Sequence, residues 1–99
     1  MSLIKTVKGI TFQFGENKSQ IYWEHVTEKK TYILLQPKAL PTYWAIIQFD
    51  EKRNCKPLNC AIIDKEGNVI QKDPLYCFDE LTVDGWLDKL ADYIREQDY

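Results

Sequence analysis

Thr82-Val83-Asp84-Gly85-Trp86-Leu87-Asp88-Lys89-Leu90-Ala91-Asp92-Tyr93-Ile94-Arg95-Glu96-Gln97 is the stretch whose apolar residues recur with helical spacing. At about 100° per residue, Val83, Trp86, Leu87, Leu90, Ala91, Tyr93 and Ile94 share one arc, and Asp84, Asp88, Lys89, Asp92, Arg95 and Glu96 share the opposite one. Thr82 is of the type that caps a helix N-terminus, because its hydroxyl can accept an otherwise unpaired backbone N–H. The spacing therefore predicts an amphipathic helix over 82–97. Asp73-Pro74 stops whatever precedes it, which makes 73–81 a connector.

Upstream the period changes from 3.6 to 2. Ile10-Thr11-Phe12-Gln13-Phe14 alternates, within a run over 5–14 that reads as one strand, and Gly15-Glu16-Asn17-Lys18 has turn chemistry. Residues 19–26 read as a second strand with aromatics on both faces, and 31–35 as a third. The separator Thr27-Glu28-Lys29-Lys30 has neither glycine nor proline, so 18–30 reads either as half of a hairpin or as a helix. Pro37 and Pro41 bound a loop. Trp44-Ala45-Ile46-Ile47-Gln48-Phe49 is nearly continuous in apolar character, as a strand covered on both faces should be, and is the candidate sheet centre. Residues 58–63 and 69–71 flank Asp64-Lys65-Glu66-Gly67-Asn68, where Gly67 suits the positive φ of a bulged hairpin turn. With no βαβ alternation, the expectation is a single α+β domain over 1–99. It comprises an antiparallel β-meander of about five to six strands within 4–72, packed against one C-terminal amphipathic helix.

Composition agrees: 99 residues, 44% hydrophobic and 28% charged, describe one globular domain rather than a disordered chain. Runs such as Trp44–Ile47 and Cys60–Ile63 are far shorter than the roughly 20 apolar residues of a membrane span, so none is expected. Residues 1–6 have no apolar signal core, and Cys55, Cys60 and Cys77 are odd in number. Both features point to a cytoplasmic protein with reduced thiols. The net charge of −2 hides a division, since residues 1–72 sum to +4 and residues 73–99 to −6.

The acids Asp84, Asp88, Asp92 and Glu96 stack at i,i+4. Like charges one turn apart cost an isolated helix a few tenths of a kcal/mol per pair, roughly, so the ridge is unexplained locally. It reads either as a solvated face or as a docking surface for a protein with a basic patch, with Asp88, Asp92 and Glu96 steering it. Aromatics make up 13% of the chain, more than a domain of this size readily buries. Trp44 and Trp86 suit the core, leaving Tyr22, Trp23 and Tyr43 as candidate partner-binding anchors.

Catalytic sets are scarce. Ser19 and the single histidine, His25, would lie about 20 Å apart along one strand, and the four glycines form neither a phosphate loop nor a dinucleotide fingerprint. A Cys-His pair stays open as the basis of a small-ligand domain or enzyme. For zinc, Cys55, Cys60, Cys77 and His25 lack the tight pairing of structural sites, so neither metal nor cofactor is expected. Lys29, Lys30, Lys38, Lys52, Arg53 and Lys56 offer a basic, aromatic sheet to single-stranded nucleic acid. Glu24, Glu28, Asp50 and Glu51 interleave with them and count against that reading. Trp86-Leu87-x-x-Leu90-x-x-x-Ile94 resembles the closing helix of pleckstrin-homology-like domains over about a dozen residues. The basic phosphoinositide-binding pattern of that family is not evident, so the resemblance carries no lipid binding with it. The leading expectation is a non-enzymatic interaction module of inhibitor, immunity or adaptor type. Self-association through a sheet edge is a further expectation.

Overall fold

The computed structural model describes residues 3–64, 66–72 and 82–98. Seven strands follow in chain order: β1 (Ile4–Val7), β2 (Ile10–Glu16), β3 (Gln20–Val26), β4 (Lys30–Pro37), β5 (Tyr43–Asp50), β6 (Cys55–Ile63) and β7 (Val69–Lys72). Each pairs antiparallel with its sequence neighbours, so the spatial order is the chain order, and helix α1 (Val83–Asp98) closes the fold. The expected α+β meander with one terminal helix is what forms.

The run over 5–14 is two strands rather than one. Val7 pairs with Ile10 across a two-residue turn in which Lys8 and Gly9 have φ of 52° and 82°. A tight hairpin needs positive φ at both central residues to match the twist of its strands; Gly9 adopts it freely, whereas a lysine does so only when held there. Residues 18–30 resolve as strand and turn, with Thr27 N–H donating to Lys30 O at 2.8 Å and Lys30 N–H to the Thr27 hydroxyl at 3.0 Å. The hydroxyl supplies the closure that glycine or proline usually provides. The connector 73–81, with Cys77, lies outside the described residues.

Strand β5 is interior, as its apolar run implies, with Trp44, Ala45 and Ile46 buried in succession; β4 is the middle strand. Across β5 and β6 the register slips between Ile46↔Asn59 and Ile47↔Pro57, leaving Leu58 as an extra residue. This bulge places Pro57 where the ladder is broken and turns Leu58, 4% exposed, into the core.

Thr82 caps the helix as expected, its hydroxyl accepting Gly85 N–H at 3.1 Å and its carbonyl accepting Trp86 N–H at 3.1 Å. The predicted apolar arc is the buried one: Trp86, Leu87, Leu90, Ala91 and Ile94 have no exposed surface. Full burial of side chains of this size contributes about 1.5–3 kcal/mol each, which outweighs the roughly 1 kcal/mol cost of a helical glycine such as Gly85. The arc packs on Ile10, Phe12, Trp23, Tyr32, Leu34, Trp44 and Ile46, which share one face of the sheet. One side of the sheet is thus the core, and the other carries no helix or strand among the described residues.

Candidate binding surface

The acidic ridge lies beside the β1–β2 hairpin. Lys5 Nζ reaches Asp84 at 2.6 Å, and Lys8 Nζ lies 3.3 Å from Asp88 and 2.7 Å from Asp92. Arg95 donates to Lys8 O at 2.7 Å. Eight helical residues rise about 12 Å and three strand steps about 10 Å, so the two lysines match the ridge turn for turn. The two carboxylates hold the Lys8 ammonium above its ordinary pKa, the hydrogen bond it donates to Asp92 being the largest cause. Lys8, with its φ of 52°, is thus tied to the helix both through its ammonium and through its carbonyl. The ridge that an isolated helix cannot explain is therefore matched within the chain. Asp88 and Asp92 are engaged by Lys8, whereas Glu96 is exposed in the last turn.

His25 fills the gap where β2 leaves β3. Their pairing extends only from Gln13↔Glu24 to Glu16↔Ile21, and beyond it His25 Nδ1–H donates to Thr11 O at 3.0 Å. The ring lies between Phe12 and Tyr32 on the core side, with centroids at 6.1 and 6.5 Å. Its Nε2 is buried without a partner. Cys60 pairs with Ala45 on the opposite side of the sheet, three strands away, so His25 and Cys60 do not meet. Among the described residues no three metal-ligating side chains converge. Of the residues named for nucleic acid, Lys29, Lys30 and Lys52 line a hollow of about 300 Å³ at one end of the sheet together with Asp50 and Glu51, whereas Lys38 lies at the other end, paired with Glu16.

The side of the sheet away from the helix can be read directly from the register, because directly paired residues share a face. One row is Tyr22–Leu35–Ala45–Cys60 and the next is Glu24–Ile33–Ile47–Pro57. A third row is Val26–Thr31–Phe49–Cys55, and Tyr43 and Ile62 pair beyond Ala45 and Cys60. Glu24 is the only charged residue in this block of β3 to β6. An antiparallel sheet with one covered face normally alternates apolar inward and polar outward, so an outer face of this composition departs from the pattern of a surface in contact with water alone. Its large side chains are half-buried by one another, Val26 is 63% exposed at one corner, and Ala45, 6% exposed, forms the floor between larger neighbours.

Both tyrosines expected to anchor a partner are here. Tyr22 lies across Gly15, where any side chain would overlap its ring; that is why a glycine occupies the strand. Tyr43 is packed near Cys60, and burial first, then the thiol, raise its phenol above the ordinary range. Trp23 corrects the expectation. It is 6% exposed in the core, edge-on to Phe14 at 5.1 Å, with Lys5 Nζ 5.4 Å from its ring centroid. Adjacent strand residues point to opposite faces, so only one of Tyr22 and Trp23 could be outside, and pairing with Phe14 and Leu34 sends the tryptophan inward. Sequence reading missed Ile33, Leu35, Ile47 and Phe49 on this face; their signal, apolar residues on both sides of β4 and β5, was legible as two-sided burial. No family model, no curated protein and no solved structure matches this chain.

Proposed function

We propose that this chain is a non-enzymatic protein-interaction module whose contact surface is the helix-free face of the sheet. The observation that supports this reading is the nearly uncharged, apolar block across β3 to β6, displayed opposite the face that the helix covers. Tyr22 and Tyr43 supply large rigid surface with a polar tip, as anchors of protein contacts do, and Ile33, Leu35, Ile47 and Phe49 surround them. The helix ridge, engaged at Asp84, Asp88 and Asp92 by Lys5 and Lys8, has the secondary role of holding the edge hairpin.

A benzophenone amino acid placed at Ile47, and in a separate variant at Glu96, tests the assignment in cells. Irradiation is expected to join the position-47 variant to a protein partner as a band of fixed mass, and to give none at position 96. Absence of an adduct at 47, or an equal one at 96, would remove this face as the contact surface.

A further inference from the structure

We infer that the occupant of the helix-free face is a second copy of this chain, packed sheet against sheet about a two-fold axis parallel to the strands between β4 and β5. This rests on the reading of that face as a protein-contact surface and names its partner. The register carries the argument. A two-fold axis in that place lays β4 of one protomer over β5 of its partner, and β3 over β6. The row Tyr22–Leu35–Ala45–Cys60 then meets its own reverse: Leu35 covers the partner's Ala45, and Tyr22 covers the partner's Cys60. Large side chains oppose small ones at every position of the row. Ala45, the smallest side chain of the row, is the one that lies beneath the partner's Leu35. In the next row Ile33 meets the partner's Ile47, and Glu24 falls over the partner's Pro57. An isologous contact needs this self-complementarity, and sheets that pack face to face at about 10 Å in sandwiches are built from such apolar inner faces.

Charge and area agree with a second copy. A foreign protein is generally steered by complementary charge, and this face offers almost none. Two copies of a chain of net charge −2 approach it with little repulsion, because α1 and its acids lie on the far side of each sheet and Glu24 is the one charge on the contact rows. The strands β2 to β7, at about 4.8 Å apart, by three outward residues at about 6.8 Å give a footprint of about 600 Å² on each protomer, the lower end of the range for stable pairs. The pairing is therefore expected to dissociate in roughly the micromolar range, within reach of sedimentation.

Sedimentation equilibrium of the full chain from about 1 to 500 μM tests this with Ile33→Asp, Ile47→Lys and an edge variant, Ile4→Lys, each checked for native circular dichroism. The chain and Ile4→Lys should rise from 11.7 kDa to twice that mass. Ile33→Asp and Ile47→Lys should each stay monomeric. An equimolar mixture of the two should regain the dimer, because the carboxylate introduced in one copy then faces the ammonium introduced in the other. A chain that remains monomeric at 500 μM overturns the self-pairing, and so does a dimer abolished by Ile4→Lys but not by Ile33→Asp, or a mixture that stays monomeric. The cross-link at position 47 separates the two readings: an adduct to a different protein with a monomeric chain refutes only the second copy, and no adduct with a monomeric chain refutes both.

Discussion

Asp50 and Asp64 begin two turns of the same construction. In each, one carboxylate oxygen accepts backbone N–H groups two and four residues on: Lys52 and Asn54 at 2.9 Å from Asp50, Glu66 and Asn68 at 3.0 and 2.8 Å from Asp64. The fourth residue of each has positive φ, Gly67 at 85° and Arg53 at 62°. The second turn is legible because glycine marks it. The first is hidden by an arginine in the same conformation, although Asp-x-x-x-Asn is common to both. These hydrogen bonds, led by the Asn54 and Asn68 N–H groups, lower both carboxyl pKa values from 3.8. A lowered folded pKa means stability that is present above the unfolded value and lost as pH falls through the folded one. We expect the urea midpoint to fall on acidification below about pH 4, and an Asp50→Asn/Asp64→Asn double variant to lose part of that dependence, since its amides accept the bonds without titrating.

The β1–β2 hairpin and the helix stabilise one another. A two-residue turn with lysine at a positive φ is a weak hairpin by itself, and a helix with acids at i,i+4 is mildly self-repelling; juxtaposed, each removes the other's defect. Lys8→Asn tests the coupling, because asparagine tolerates the left-handed turn but cannot form the ion pairs. The variant should melt lower at low salt, lose most of the salt sensitivity of the parent, and show faster amide exchange in β1 and the start of β2. The raised pKa of Lys8 adds to the alkaline side: its contribution is complete below the unfolded value of 10.5 and is lost as pH rises through the folded value, so Lys8→Asn should lose less stability than the parent above about pH 10.5.

At the scale of the molecule, a seven-stranded sheet is wide and one helix covers one side of it. Ile46 and Ile47 are neighbours in sequence but belong to opposite environments: Ile46 is 2% exposed against the helix, and Ile47 is half-buried on the open side. In the monomer, at submicromolar concentration, Ile46→Ala should cost about 2–5 kcal/mol in urea unfolding, as core truncations do, and Ile47→Ala about 1 kcal/mol. At high concentration the order should change by mass action, since Ile47→Ala then also loses whatever stability the partner confers. A fixed difference at all concentrations would show that the open face contributes nothing beyond its own strand packing.

Periodicity alone determined the α+β class and the terminal helix, but not that 5–14 is two strands or that 18–30 is strand and turn. The helix, its capping threonine, its buried arc and the interior character of β5 are local patterns, and such patterns report how a segment is solvated, whatever it packs against. The acidic ridge was equally visible, but its meaning was not, because its counter-charges lie about eighty residues away and meet it only when the edge hairpin folds beside the helix. Tyr22-Trp23 shows the same limit. Alternation establishes that the two rings face opposite ways, and only the register with Phe14 and Leu34 decides that the tryptophan is inside. For the outer face the two-sided apolar character of β5 is legible, but its rows are assembled from four strands, and no single strand discloses that the helix packs on only one side of them.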